Sequence, residues 1–153
     1  MSSLEKIKSY CAYQERSHQE VRYKLLELGV YGLDLENHIT VLIEENFLNE
    51  ERYACSLVRG KFYYKHWGRQ KIKQSLQQQQ VSDYCIQKGM KEIEERDYVK
   101  TVNSLAEKKW LTLRTEKNKF TKMTKLKNYL LQKGYEYSYI NDFLHAKQAH
   151  ADE

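Results

Sequence analysis

The residues of this chain best suited to chemistry are cations interleaved with aromatics. Between Arg59 and Leu76 the order is Arg59-Gly-Lys61-Phe-Tyr63-Tyr-Lys65-His-Trp67-Gly-Arg69-Gln-Lys71-Ile-Lys73-Gln-Ser-Leu76. Ammonium and guanidinium groups neutralise phosphates and aromatic faces stack on bases, so such alternation reads as a contact to nucleic acid. A second basic set follows with Lys108, Lys109, Lys119, Lys122, Lys125 and Lys127. Arg22 joins both sets because it occupies the same place in an internal repeat as Lys73 and Lys127. Each of these three cations stands beside an apolar residue that must face a core, which puts all three on comparable edges of their units. Phosphate neutralisation along a groove is the functional reading, and a merely solvated helix face is the alternative. Phe62, Tyr63, Tyr64 and Trp67 cannot all face one core. Tyr63 and Trp67 are therefore candidates for stacking on a base or packing on a protein partner.

Other chemistries find no support in the pattern. There is no Gly-rich phosphate loop, no H-E-x-x-H pair and no nucleophile elbow, so no catalytic residue is assigned and an enzyme is not expected. Cys11, Cys55 and Cys85 lie far apart without metal-ligand spacing. Buried thiols are expected, with no metal and no cofactor. The N-terminus lacks the apolar stretch of a secretion signal, and Val41-Leu42-Ile43 is too short to approach a membrane span. A monomer in a reducing cytoplasm fits these features.

The elements that position the cations read as helices throughout. The 153 residues include no Pro and only 6 Gly, with 31% charged and 41% apolar residues, and few stretches alternate as strands do. Leu4, Ile7 and Cys11 share one face of a first helix. Ser17 and Glu20 form a capping box before a second helix that stops at Gly29. Asp34 is expected to cap a third, Asn49 a fourth and Ser82 another, with Asp97 preceding the next. Tyr53, Leu57 and either Phe62 or Tyr64 are expected to face inward. Lys108-Lys109-Trp110 is expected in a basic turn, and the chain is expected to fray beyond about Ala146.

Three segments repeat one another. Val21 to Val30, Ile72 to Val81 and Leu126 to Tyr135 share a branched apolar start, an adjacent cation, a Leu at the fifth place and a closing Gly-apolar pair, for which the middle copy substitutes Gln80. The offsets are about 51 and then about 54 residues, the signature of stacked helical units. The expected organisation is all-α, with three tandem three-helix repeats over 1–47, 48–95 and 96–147 in an elongated, curved body, and a frayed tail over 148–153. The formal net charge is +5. Acids crowd the first repeat, so the positive balance falls in the second and third.

Two motifs resemble a known family. Phe47-Leu48-Asn49-Glu50-Glu51-Arg52-Tyr53-Ala54, followed by Leu57-Val58-Arg59, a basic Gly-containing turn and Ile72-Lys73-x-x-Leu76, resembles the central signature of the RecX family of recombination regulators. Ser17-x-x-Glu20-Val21-x-x-Lys24-Leu25-x-x-x-Gly29 resembles that family's first repeat. The resemblance runs from about Leu4 to Leu144 and implies a non-enzymatic protein. Its partner would be the RecA recombinase filament on DNA, along whose groove it lodges, inhibiting strand exchange, ATP hydrolysis and coprotease function. Arg59, Lys61, Arg69 and Lys73 would then correspond to the basic surface facing the filament. Gln80 in place of Gly, and His66-Trp67 before Arg69, depart from the family pattern. A free-standing helical nucleic-acid-binding module, acting without a recombinase and touching single- or double-stranded DNA directly, is the other function these residues fit.

Overall fold

The structure, a computed structural model, describes residues 1–151. In chain order its helices are α1 (Ser3–Tyr13), α2 (His18–Glu27), α3 (Gly32–Glu44), α4 (Glu50–Arg59), a π-helical turn (Gly60–Tyr64), α5 (Arg69–Gln78), α6 (Asp83–Met90), α7 (Glu95–Thr112), α8 (Lys119–Lys133) and α9 (Tyr137–Ala151). No strand occurs among the described residues. Capping side chains start several of these helices by satisfying amide groups that have no partner within the helix. Ser17 and Glu20 close a reciprocal capping box on α2, and Asn49 Oδ1 accepts the Arg52 N–H at 2.8 Å on α4. Ser82 accepts the Cys85 N–H at 3.3 Å on α6.

Asp34, expected as a cap, does not cap, and Asp97, expected to precede its helix, lies within it. α3 starts ahead of Asp34 with Tyr31 at its N-cap, and α7 starts ahead of Asp97 with Glu94 there. Both aspartates sit in the first turn, where a negative charge already meets the positive end of the helix dipole without displacing the start. Lys108-Lys109-Trp110 is helical rather than a turn, since no Gly or Pro interrupts α7 before Thr112. The expected tail is helical through Ala151; residues 152 and 153 lie outside the described residues.

At the end of α4, Val58 and Phe62 are buried, Leu57 is half-buried and Tyr64 is 86% exposed. The wider π-turn shifts the inward register by a fraction of a turn, which selects Phe62 over Tyr64.

The three repeated segments share one backbone solution. Val21, Ile72 and Leu126 are fully buried, as are Leu25, Leu76 and Leu130. The N–H groups of Val30, Val81 and Tyr135 return to the carbonyls of Leu25, Leu76 and Leu130 at 2.9, 3.1 and 3.1 Å. This closure requires a left-handed residue just before, and Gly29 (φ +81°), Gln80 (φ +61°) and Gly134 (φ +102°) supply it. Gln80 therefore keeps the glycine geometry despite its side chain, at a steric cost of about 1 kcal/mol. Replacing Gln80 with Gly is expected to raise stability by about 0.5 kcal/mol, the strain relief outweighing the added freedom of the unfolded chain. Urea unfolding would register it, and a loss would show that the Gln side chain holds the turn.

Two compact units are present. Unit 1 comprises Met1–Val58 and Ser75–Glu92, and unit 2 comprises Arg59–Gln74 and Ile93–Glu153. In unit 1, Ile7, Cys11, Val21, Leu25, Leu35, Ile39, Leu42 and Leu48 form a core from α1 to α3. Burial pushes the Cys11 thiol up to about 11, consistent with an inert packed thiol. Ser17 is fully buried and its hydroxyl donates to Gln79 Oε1 at 2.7 Å. In unit 2, α7, α8 and α9 pack on one another around Tyr98, Val102, Ala106, Leu126, Leu130, Ile140 and Leu144.

Candidate functional site

Charge separates between the two units. Unit 1 has 8 Lys and Arg against 12 Asp and Glu, whereas unit 2 has 18 against 9. Of the candidate cations only Arg22 belongs to unit 1, and Glu36 binds it there in a two-pronged ion pair at 2.6 and 3.1 Å. The hydrogen bond to Glu36 raises the Arg22 pKa above its ordinary value and lowers that of Glu36. The remaining twelve lie in unit 2, where the helices divide them by role.

Arg69, at the first position of α5, turns into the protein. Its guanidinium carbon lies 3.8 Å from the Tyr98 ring centroid, and its nitrogens reach Glu95 at 2.8 Å, Glu136 at 3.4 Å and the Tyr139 hydroxyl at 3.0 Å. Tyr139 in turn donates to Glu95 at 2.5 Å, and Tyr98 donates to Glu136. Burial opposes the Arg69 charge, but the bonds to Glu95 and Tyr139 outweigh it and raise the pKa. A guanidinium enclosed in this way is a pin between α5, α7 and α9, not a cation presented to a ligand.

Trp67 lies half-buried between two lysines. Lys61 Nζ is 4.4 Å and Lys71 Nζ 4.2 Å from its ring centroid, within cation–π range. Burial, with Lys65 and Lys71 nearby, lowers the Lys61 pKa. The ring thus gathers positive charge instead of standing bare for a base. Tyr63 is also engaged: it packs edge-on against Phe62 and its hydroxyl donates to Asp97 at 2.8 Å.

On α7 and α8 the same pairing recurs. Lys109 lies over Tyr129 at 5.0 Å, Lys122 over Trp110 at 3.9 Å and Lys127 over Tyr137 at 4.7 Å. Lys125 is bonded to Glu116 at 3.0 Å, and this bond lowers the Glu116 pKa. Lys65, Lys73, Lys108 and Lys119 are exposed and meet no carboxylate within ion-pair distance among the described residues. Among the candidate cations these four stand exposed to solvent. Arg59 is exposed at the end of α4.

Lys100, Thr101 and Ser104 are functional candidates that inspection of basic clusters missed. They share a face of α7 with Lys108, and steps of four from Lys100 through Ser104 to Lys108 are the signal that could have found them. No group of His, Cys, Asp and Glu able to hold a metal occurs among the described residues, nor does a helix long and apolar enough to cross a membrane.

Comparison with known proteins places these features in a family context. The family models "RecX, second three-helix domain" and "RecX, third three-helix domain" match residues 49–90 and 96–144. A regulatory protein RecX of Vibrio parahaemolyticus is 30% identical over 141 residues, covering 92% of this chain and 88% of that protein. One from Clostridium perfringens strain 13 is 33% identical over 130 residues, covering 84% of this chain. The match spans only 60% of that relative's length. A crystal structure of RecX from Lactobacillus salivarius superposes with a TM-score of 0.83 at 26% identity, covering 94% of this chain and 93% of that one.

Proposed function

The chain belongs to the RecX family of regulatory proteins, and from that premise we propose that it is a cytoplasmic, non-enzymatic regulator that binds a RecA-type recombinase filament on DNA and inhibits its recombination and ATP hydrolysis. The observation that carries the reading is the separation of charge. Unit 2 has twice as many cations as acids, while unit 1 is net acidic. Such a basic unit is attracted to a long anionic assembly, and its orientation follows from the asymmetry. Lys65, Lys73, Lys108 and Lys119 carry the contact, Lys61 and Lys71 support it beside Trp67, and Arg69, Arg22 and Lys125 keep the protein itself in order. Three tandem three-helix repeats, with boundaries after residues 47 and 95, are the organisation we propose for the chain.

The test is RecA-catalysed ATP hydrolysis and strand exchange on single-stranded DNA with the protein added at stoichiometric ratio. Both rates are expected to fall. Neutralising Lys65, Lys73 and Lys119 to Gln should relieve the inhibition while leaving the helical circular dichroism unchanged, because none of the three holds an ion-pair or hydrogen-bond partner among the described residues. Unchanged rates with the native protein would overturn the reading. If naked DNA bound tightly while the recombinase did not respond, a free-standing nucleic-acid-binding module would take its place.

A further inference from the structure

Unit 2 contains a cleft of about 330 Å³ whose chemistry the basic clusters of the sequence do not account for. One wall is the face of α7 bearing Lys100, Thr101, Ser104 and Lys108, and the opposite wall is Tyr63 and His66. At about 1.5 Å per residue, Lys100 and Lys108 stand about 12 Å apart along the helix axis, with the Ser104 hydroxyl midway. The opposite wall is fixed by the fold. The His66 carbonyl accepts the Tyr135 hydroxyl at 2.7 Å, and the Tyr63 hydroxyl is held by Asp97 at 2.8 Å and by the Glu94 N–H at 3.4 Å.

The electrostatics of the cleft are one-sided. Asp97 is its one carboxylate, and Tyr63 already donates to it. Lys100 and Lys108 are both exposed, and neither has an ion-pair or hydrogen-bond partner among the described residues. Two unpaired ammonium groups with hydroxyls between them form a row of donors along α7, and the Asp97 carboxylate lies one helical turn before Lys100. A row of donors fits successive phosphate oxygens, since lysine supplies the charge and hydroxyls supply short-range hydrogen bonds. The cleft is too small to admit a double helix, but a single backbone can run along it.

We infer that this cleft is a track for the sugar-phosphate backbone of a single nucleic-acid strand, with Lys100 and Lys108 each neutralising a phosphate and Thr101 and Ser104 donating between them. The inference deepens the function proposed above and rests on that reading only for the presence of DNA. It makes strand contact a property of this chain, whether or not a recombinase is bound.

The test is fluorescence anisotropy of a labelled dT20 oligonucleotide with the native full chain and with the Lys100→Gln/Lys108→Gln variant across 50–200 mM salt. Native protein is expected to bind at 50 mM salt. The variant should bind at least tenfold more weakly, and its log–log salt slope should be shallower by about 1.4, the value for two phosphates of a single strand. Ser104→Ala should weaken binding severalfold without changing the slope. Inorganic phosphate added at 5 mM should do no more than the equivalent ionic strength. Native-like binding by the double variant, or no binding by the native chain, would overturn the inference, and so would displacement by millimolar phosphate, which would mark an isolated-anion pocket. Recombinase ATP hydrolysis measured in parallel separates the two proposals. Strand binding together with inhibition by the native chain upholds both, inhibition without dT20 binding overturns the track alone, and strand binding without inhibition upholds the track alone.

Discussion

Replacing Gly68 with alanine is expected to destabilise the protein by about 3 kcal/mol, at the upper end of what overpacking costs, and to lower the melting temperature by roughly 10 °C. A Cβ at Gly68 would sit 2.3 Å from the Gly134 carbonyl carbon, 2.4 Å from its oxygen and 2.5 Å from the Tyr135 nitrogen. These are backbone atoms that cannot swing aside as a side chain does. Two hydrogen bonds fix the crossing, from Gly68 N–H to the Lys133 carbonyl at 2.8 Å and from Gln70 N–H to the Gly134 carbonyl at 2.9 Å. Separating the backbones enough to admit a methyl group would break both and shift the start of α5, and with it the lysines on either side of Trp67. Gly60→Ala provides the control. A Cβ there meets nothing within 4 Å, so its melting temperature should stay within about 2 °C of the native value. Equal melting temperatures for the two variants would refute the close crossing.

The place of Gly68 in the chain was legible from the sequence, but its reason was not. A glycine before an amphipathic segment signals a turn, whereas this one has no positive φ and is required by a contact 66 positions away. The same division runs through the fold. Features set by neighbours in sequence could be read directly: the Ser17–Glu20 capping box, the Asn49 cap and the threefold recurrence of Val21, Ile72 and Leu126. Even the departure at Gln80 turned out to preserve the turn, because the left-handed residue is imposed by the closing hydrogen bond and a side chain only makes it costlier. Asp34, expected at the cap, and Asp97, expected just ahead of its helix, both lie in the first turn, because an aspartate is favoured at either place and locates a helix start only to within a few residues.

The candidate site was legible as a composition but not as a division of labour. A run such as Arg59 to Lys73 shows that cations are concentrated, and it holds nothing about which of them find carboxylates elsewhere. Trp67, a candidate for stacking on a base or packing on a protein partner, is flanked by Lys61 and Lys71, a pairing hidden in the sequence because its partners lie six and four positions away in different elements. Lys100 and Ser104 went unnoticed for the opposite reason. They are not clustered in sequence with other cations and come together with Lys108 only through the periodicity of α7.

Arg69 is where this distinction has its largest consequence. Arg69→Ala is expected to lower stability by about 2–3 kcal/mol, somewhat less than for a fully enclosed pair because the side chain is 24% exposed. The loss comes from Glu136 and the Tyr139 hydroxyl, which would keep their burial but lose a donor, and from the bared face of Tyr98. Arg69→Lys should recover less than half of it, since a single ammonium cannot reach Glu95, Glu136 and Tyr139 together. The dependence on pH gives an independent check. The hydrogen bonds from Tyr139 and then Arg69 hold the Glu95 pKa below its ordinary value of 4.5, so the unfolded state binds the proton first as the solution is acidified. The Glu95 contribution is therefore fully present above about pH 5, declines as pH falls through 4.5 and is gone below the depressed folded value. In Arg69→Ala the acid limb of the stability profile should flatten over that window, whereas neutralising the solvated Lys73 should leave it unchanged. An arginine that served only a partner would show the reverse pattern, with native stability at every pH and loss of binding alone. Any binding defect of Arg69→Ala must therefore be read against its melting temperature, and under the proposed function the exposed Lys65, Lys73, Lys108 and Lys119 are the positions at which loss of charge should change binding without changing stability.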